Sequence, residues 1–247
     1  MKKILTVDGY MYDSDERKIE CINTFRWNSK LFDSIYIMCE DTTQFDYWNN
    51  IKYAYNLANV ITELTGIARP SCKQQMDFCN TKGCDNTLRF FANIDTIFTE
   101  SINKLDIYDF EDTFFTFSNR AMRNYNGEYK PMEGDPLDVF NKTLYLDITK
   151  FDSYTNERPG PICVAHCGWA WKGIKITPEM GAYLGNPGGE NKLLRQARAG
   201  GYQVKSAAII CPTYHNHRSD VRTERHDVRI DHAYGDGEIS HHEIIFA

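Results

Sequence analysis

Short apolar runs alternate with stretches of helical spacing through the first 120 residues. Residues 3–7 are an apolar run closing on Asp8, and residues 34–39 are a second, closing on Glu40 and Asp41. Between them, residues 13–28 carry Ile19, Ile22, Phe25 and Trp27 at intervals that place them along one side of a helix. Residues 48–64 read as a second helix, with Ile51, Ala54, Leu57, Val60 and Ile61 inward and Gly66 as its cap. Residues 87–92 form a third buried run, 102–105 part of a short helix, and 114–117 a further strand. Strand, helix, strand, helix, strand in this order predicts an α/β fold with a mostly parallel central sheet flanked by helices.

Beyond residue 120 the pattern changes. Residues 123–136 are polar and contain glycine, as a loop or flap would. Residues 143–148 and 161–165 are strand-like, followed by the aromatic segment Trp169-Ala170-Trp171-Lys172-Gly173. A Gly/Pro-rich turn at 185–191 opens onto a helix at 191–199, which Gly200 and Gly201 end, and 203–211 return as one or two strands. From about 219 the chain is polar, dense in Arg, Asp and His. With no repeat in view, we expect one domain over 1–247, with a ligand-binding half (1–120) and a loop-rich second half (121–247).

Composition narrows the classes. A chain of 247 residues, 42% hydrophobic and with 15 Tyr and 14 Phe, has the material for a large core and is not a disordered segment. The net charge of −6 argues against a dedicated nucleic-acid binder. Charge is uneven, however: residues 1–150 hold 17 basic and 23 acidic side chains, whereas 151–247 hold 11 of each and all seven histidines. No apolar run reaches the ~18–20 residues that span a bilayer, and Asp8 comes too early for a signal peptide, so a cytoplasmic protein without a membrane span is expected. The eight cysteines lack a Cys-x-x-Cys pair; Cys72, Cys79 and Cys84 cluster loosely, but reduced thiols are expected over structural zinc.

The chemistry concentrates at two places. The run 86–95 reads as a strand ending on Asp95 as the chain turns toward solvent, and the carboxyl end of a central strand is where open α/β sheets bind ligands. Far downstream, His215 and His217 lie two apart and share one side if that segment is extended. A carboxylate with imidazoles suits a divalent ion that grips a diphosphate; ordinary strand-end solvation and a surface histidine pair are the alternatives. Glu190 opens a helix, where backbone amides hold an acid ionised.

Several short segments occur in order within about residues 3–223: Arg69-Pro70-Ser71, Ala92-Asn93-Ile94-Asp95, Phe117-Ser118-Asn119-Arg120, Trp169 to Gly173, Leu184 to Asn191, Gly201-Tyr202 and His215-x-His217. Taken together they resemble the small GT-A-type glycosyltransferases related to family 2 that recur in bacteriophage genomes and bacterial polysaccharide clusters. Cys167 stands where relatives often carry an acid. The resemblance implies a GT-A-like domain and a nucleotide-sugar donor, a UDP-sugar by expectation. Thr6, Asp8, Glu40, Asp41, Arg69, Asn93, Asp95 and Arg120 would hold that donor. Mn²⁺ or Mg²⁺ would sit on Asp95, His215 and His217. Glu190 would be the catalytic base, and Trp169, Trp171 and Asn191 would contact the acceptor. The phage relatives suggest a hydroxylated or hydroxymethylated pyrimidine in DNA as that acceptor. A surface polysaccharide, a lipid-linked sugar, or a non-catalytic nucleotide-binding module are the competing expectations.

Overall fold

The computed structural model describes residues 1–117, 119–121, 168–175, 189–207, 210–211, 213–216 and 243–244. Expectations for 123–136, 143–148, 161–165, Cys167, the 185–188 turn, His217 and most of the tail from 219 lie outside these residues.

The chain forms an α/β fold with a mostly parallel sheet, as its patterning predicts. Eight strands are involved: β1 (Lys2–Asp8), β2 (Ser34–Cys39), β3 (Val60–Leu64), β4 (Thr87–Ala92), β6 (Thr113–Phe117), β8 (Gly168–Lys172), β9 (Gln203–Ser206) and β11 (Glu243–Ile244). Their order is β11-β9-β6-β8-β4-β1-β2-β3. Every pairing is parallel except those of β8, which runs antiparallel to both β4 and β6. A second, small sheet joins β5 (Thr96–Ile97), β10 (Thr213–His215) and β7 (Asn119–Ala121) in the order β5-β10-β7.

Two faces of the large sheet are covered by different helices. Leu5, Val7, Ile35, Ile37 and Phe90 point to a core shared with Cys21 and Phe25 of α1 (Asp15–Asn28) and Trp48 of α2 (Thr42–Ala54). Ile4, Phe91, Phe114, Trp169 and Trp171 point the other way, against Cys72, Met76 and Cys79 of α3 (Cys72–Asn80) and Leu193, Leu194 and Ala197 of α4 (Gly189–Ala199). The switch of face follows from handedness. The chain steps outward from β1 to β2 to β3 with α1 and α2 on one side. It then doubles back to place β4 on the far side of β1, and a right-handed crossover in that direction puts α3 on the opposite face.

The structure corrects the sequence pattern in places. The predicted helix 48–64 ends at Ala54; Asn56 adopts φ 52°, and Val60–Leu64 is the edge strand β3. β-Branched Val60, Ile61 and Thr62 favour that strand. Ile19, assigned to the inner face of α1, is 55% exposed, whereas Arg17, Cys21, Thr24, Phe25 and Asn28 are buried. This helix turns a partly polar side inward, so an apolar stripe misplaces its face.

One buried cation organises the α3 face. Arg89 on β4 is fully buried and donates to four carbonyls: Cys79 (3.2 Å), Thr87 (3.1 Å), Gly173 (2.8 Å) and Lys82 (2.7 Å). Burial lowers its pKa, and the carbonyls at the end of α3 supply the compensating negative dipole.

Candidate functional site at the carboxyl edge of the sheet

The strand order reverses between β1 and β4, and open α/β sheets bind ligands in the crevice outside the carboxyl ends of their strands at such a point. Asp8 and Asn93 stand at this place, each two residues beyond Thr6 and Phe91, which are register partners. Both are partly exposed. Gly9 lets β1 close tightly on β2: its N–H donates to the Met38 carbonyl at 2.8 Å, and a Cβ there would lie 2.7 Å from that oxygen. The Trp48 indole donates to the Gly9 carbonyl and fixes the turn from below.

The rim continues along β2 and β3. Glu40 is exposed at the end of β2. Asp41 acts as the N-cap of α2, its carboxylate accepting from the Gln44 N–H at 2.8 Å. The loop after β3 folds back over the β2 end, since both the N–H and the hydroxyl of Thr65 donate to the Cys39 carbonyl. That loop carries Arg69, partly exposed and in the left-handed region at φ 48°, just ahead of the Ser71–Gln74 capping box that starts α3. A non-glycine residue held at positive φ costs free energy, and such outliers collect at ligand clamps.

The second sheet brings distant residues to this edge. β10 pairs with β5 so that His215 lies opposite Thr96, and with β7 so that Tyr214 lies opposite Arg120. The Asn216 N–H donates to the Asp95 carbonyl at 2.9 Å. The backbone thus places His215, Arg120 and Asp95 together, although they are far apart in sequence. Glu190 lies in the first turn of α4. A three-residue connection at 200–202 turns α4 into the parallel strand β9. The N-terminus of α4 therefore faces the same carboxyl edge as Asp8 and Asn93.

Several expected ligand contacts are not available as placed. Asp95 does not turn to solvent. It is 4% exposed, and its Oδ2 accepts from Arg17 Nη2 at 2.6 Å. Arg17 also donates to the Asn216 carbonyl at 2.9 Å, pairs with Glu20, and packs 4.6 Å from the Tyr12 ring centre. Burial is the largest single influence and disfavours the charged guanidinium, but Asp95 together with Tyr12, Cys21 and Glu20 outweighs it and raises the Arg17 pKa. Thr6 is no strand-end residue: it is fully buried under α3 against the Cys79 thiol. Trp169 and Trp171 are fully buried as well. Trp169 stacks on Phe91, and Trp171 donates to Asn80 Oδ1 at 3.0 Å. Their bulk fills the core between the sheet and the helices α3 and α4, so neither offers a face to an acceptor. Asn191, Glu190, Arg120 and His215 are placed by backbone alone.

The resemblance implies Asp95, His215 and His217 as the residues that would hold Mn²⁺ or Mg²⁺. A divalent ion on Asp95 Oδ2 would have to displace a buried guanidinium, and among the described residues no group of three or more His, Cys, Asp or Glu side chains converges. As placed, Asp95 does not fit a metal ligand. Cys72 and Cys79 are buried and Cys84 exposed, all three free thiols. Sequence reasoning missed Arg17, although a polar residue one helical turn before a buried Cys21 signals a helix face that is not purely apolar.

No family model matches the chain, and no curated protein matches it. Among solved structures, S. aureus TarS 1–349 in complex with UDP-GlcNAc aligns over 53% of this chain and 37% of its own, at 17% identity and a TM-score of 0.35. The same TarS segment without a named ligand aligns over 70% and 47%, at 11% identity and a TM-score of 0.38. Mannose-6-phosphate isomerase from Helicobacter pylori aligns over 49% and 52%, at 13% identity and a TM-score of 0.29. The chain spans about half or less of the length of these solved chains. Among the described residues, no helix is long and apolar enough to cross a membrane.

Proposed function

We propose that this chain is a nucleotide-sugar-dependent glycosyltransferase whose donor lies across the carboxyl edge of β1, β2 and β4. The observation that carries this reading is the switch point between β1 and β4, rimmed by Asp8, Asn93, Glu40 and Arg69 and backed by the second sheet with Arg120 and His215. Such a crevice suits a ligand with a flat base, a ribose and a diphosphate. In this reading Asp8 and Glu40 face the ribose and base. Arg69 and Arg120 meet the diphosphate as forked cations, which match phosphate oxygens two at a time.

Glu190 is the base that takes the proton from the acceptor hydroxyl as the hydroxyl oxygen bonds to the anomeric carbon and the nucleoside diphosphate departs. Its place in the first turn of α4 sets it near the helix N-terminus, where backbone dipoles favour a negative charge. The acceptor we propose is a hydroxylated or hydroxymethylated pyrimidine in DNA, with Lys192 and Arg195, exposed on α4, available for phosphate contacts. No step is routed through a divalent ion, because Asp95 is held by Arg17.

The test is incubation of the purified chain with a panel of nucleotide sugars and with plain or hydroxymethylated DNA, followed by mass analysis of the released nucleosides. A gain of one sugar mass on the modified base is expected. Donor hydrolysis with no gain on any DNA would move the acceptor to another hydroxyl, such as that of a polysaccharide. The buried Asp95–Arg17 pair favours one further reading, a nucleotide-binding module without turnover. Saturable binding of a nucleoside diphosphate with no consumption of any activated sugar would select it.

A further inference from the structure

Arg17 is 1% exposed, yet it reaches three separate parts of the fold. From α1 it donates to the Asp95 carboxylate after β4 and to the Asn216 carbonyl after β10, and it pairs with Glu20 on its own helix. Asn216 answers from the other side, its side-chain amide donating to the Glu20 carbonyl at 2.8 Å and to the Thr24 hydroxyl at 3.2 Å. Three more bonds stitch α1 to the stretch that follows Asp95: Asn28 donates to the Thr96 carbonyl and accepts from the Phe98 N–H, and Trp27 donates to the Phe98 carbonyl.

Among the described residues, β10 is three residues long and pairs with β5, of two residues, and with β7, of three. So short a ladder contributes few backbone bonds, and isolated pieces of this size are not stable in water. We propose that Arg17 is a positioning residue, a clamp that fixes the Thr213–Asn216 segment, and with it His215, at the donor edge of the sheet. Asp95 is then the counter-charge of the clamp and not a ligand for an ion. The proposal deepens the reading of this edge as the donor site and rests on it for its functional meaning; the clamp itself is a statement about structure.

The test is native-state amide exchange read by mass spectrometry on the full-length chain. Arg17→Met should speed exchange of the 213–216 peptide by about tenfold or more beyond any acceleration that peptides from β1 and β2 share through a lower global stability. Arg17→Lys, which keeps the charge but loses the fork, should fall between the two. Arg89→Met removes a second buried guanidinium and serves as the control for general loss of stability; it should speed the 213–216 peptide no more than it speeds peptides from β1 and β2. Should the Met variant fail to fold, Asp95→Asn carries the same expectation.

Unchanged exchange at 213–216 in Arg17→Met, or in Asp95→Asn where that variant has to serve, overturns the clamp. So does equal acceleration across all sheet peptides. Donor kinetics separate this from a merely structural role: Arg17→Lys should change kcat or KM for the nucleotide sugar at a temperature where the variant is fully folded, and kinetics identical to the wild type overturn the positioning claim. If the unaltered chain binds and consumes no nucleotide sugar, the glycosyltransferase reading fails while the exchange pattern still decides the clamp.

Discussion

Buried polar groups at single positions determine most of what is unusual in this molecule. Asp95 and Arg17 pair out of water, and removing Asp95 leaves the buried guanidinium with Glu20 as its remaining counter-charge. Asp95→Ala should therefore lower the unfolding free energy by about 1–3 kcal/mol, read as a shift of the urea midpoint. A loss well under ~1 kcal/mol would mean that the side chain is solvated and open to a metal after all. The thiols give a second prediction at this scale. Burial pushes Cys39, Cys79 and Cys211 up from 9.0 to about 12, with Asp8 and Asp41 adding to the effect at Cys39. A raised folded-state value means that the unfolded chain releases these protons first. The stability tied to the three thiols is thus complete below about pH 9 and is lost as pH climbs toward 12. Cys84, by contrast, is exposed, and hydrogen bonds from Thr87 and Asn86 lower its pKa. Of the six described cysteines it should be the first alkylated at neutral pH, as peptide mapping after brief iodoacetamide treatment would show.

At the scale of elements, the edge that forms the candidate site depends on close packing of strand ends. Gly9→Ala would force its new Cβ against the Met38 carbonyl and the Ile37 side chain. We expect a loss of about 1–3 kcal/mol in denaturant unfolding together with weaker nucleotide binding, because the β1 and β2 ends must part. Binding unchanged in a folded Gly9→Ala chain would place the donor elsewhere. Elements also show where patterning was legible. The strands at 2–8, 34–39, 87–92 and 113–117 were evident as apolar runs, since a strand covered on both faces needs apolar side chains on both. β3 was hidden because, among the described residues, its outer edge carries no neighbour, and its half-exposed residues extended the helical periodicity of the segment before it. α3 had a readable signal in Ser71-x-x-Gln74, a capping box, that an apolar pattern alone did not register.

For the molecule as a whole, a ligand that occupies the edge of the folded sheet and not the unfolded chain must stabilise it by mass action. A nucleotide sugar at about 100 times its dissociation constant should add about 2.7 kcal/mol, visible as a rise in Tm, while the free sugar should add nothing. A panel of nucleotide sugars that leaves Tm unmoved would remove the basis for a donor site. Local patterning sufficed for the α/β class, a mostly parallel sheet and the polar residues that close its apolar runs, because periodicity and turn chemistry are local properties; the order of the strands was not legible in it. Which of those polar residues face a ligand was decided only by tertiary packing. Trp169 and Trp171 belong to the core because α3 and α4 close over β8. Asp95 is internal because α1 presents an arginine to it from 78 positions earlier in the chain. Pairings between segments so far apart follow from how helices cover a sheet, and no run of neighbouring residues encodes them.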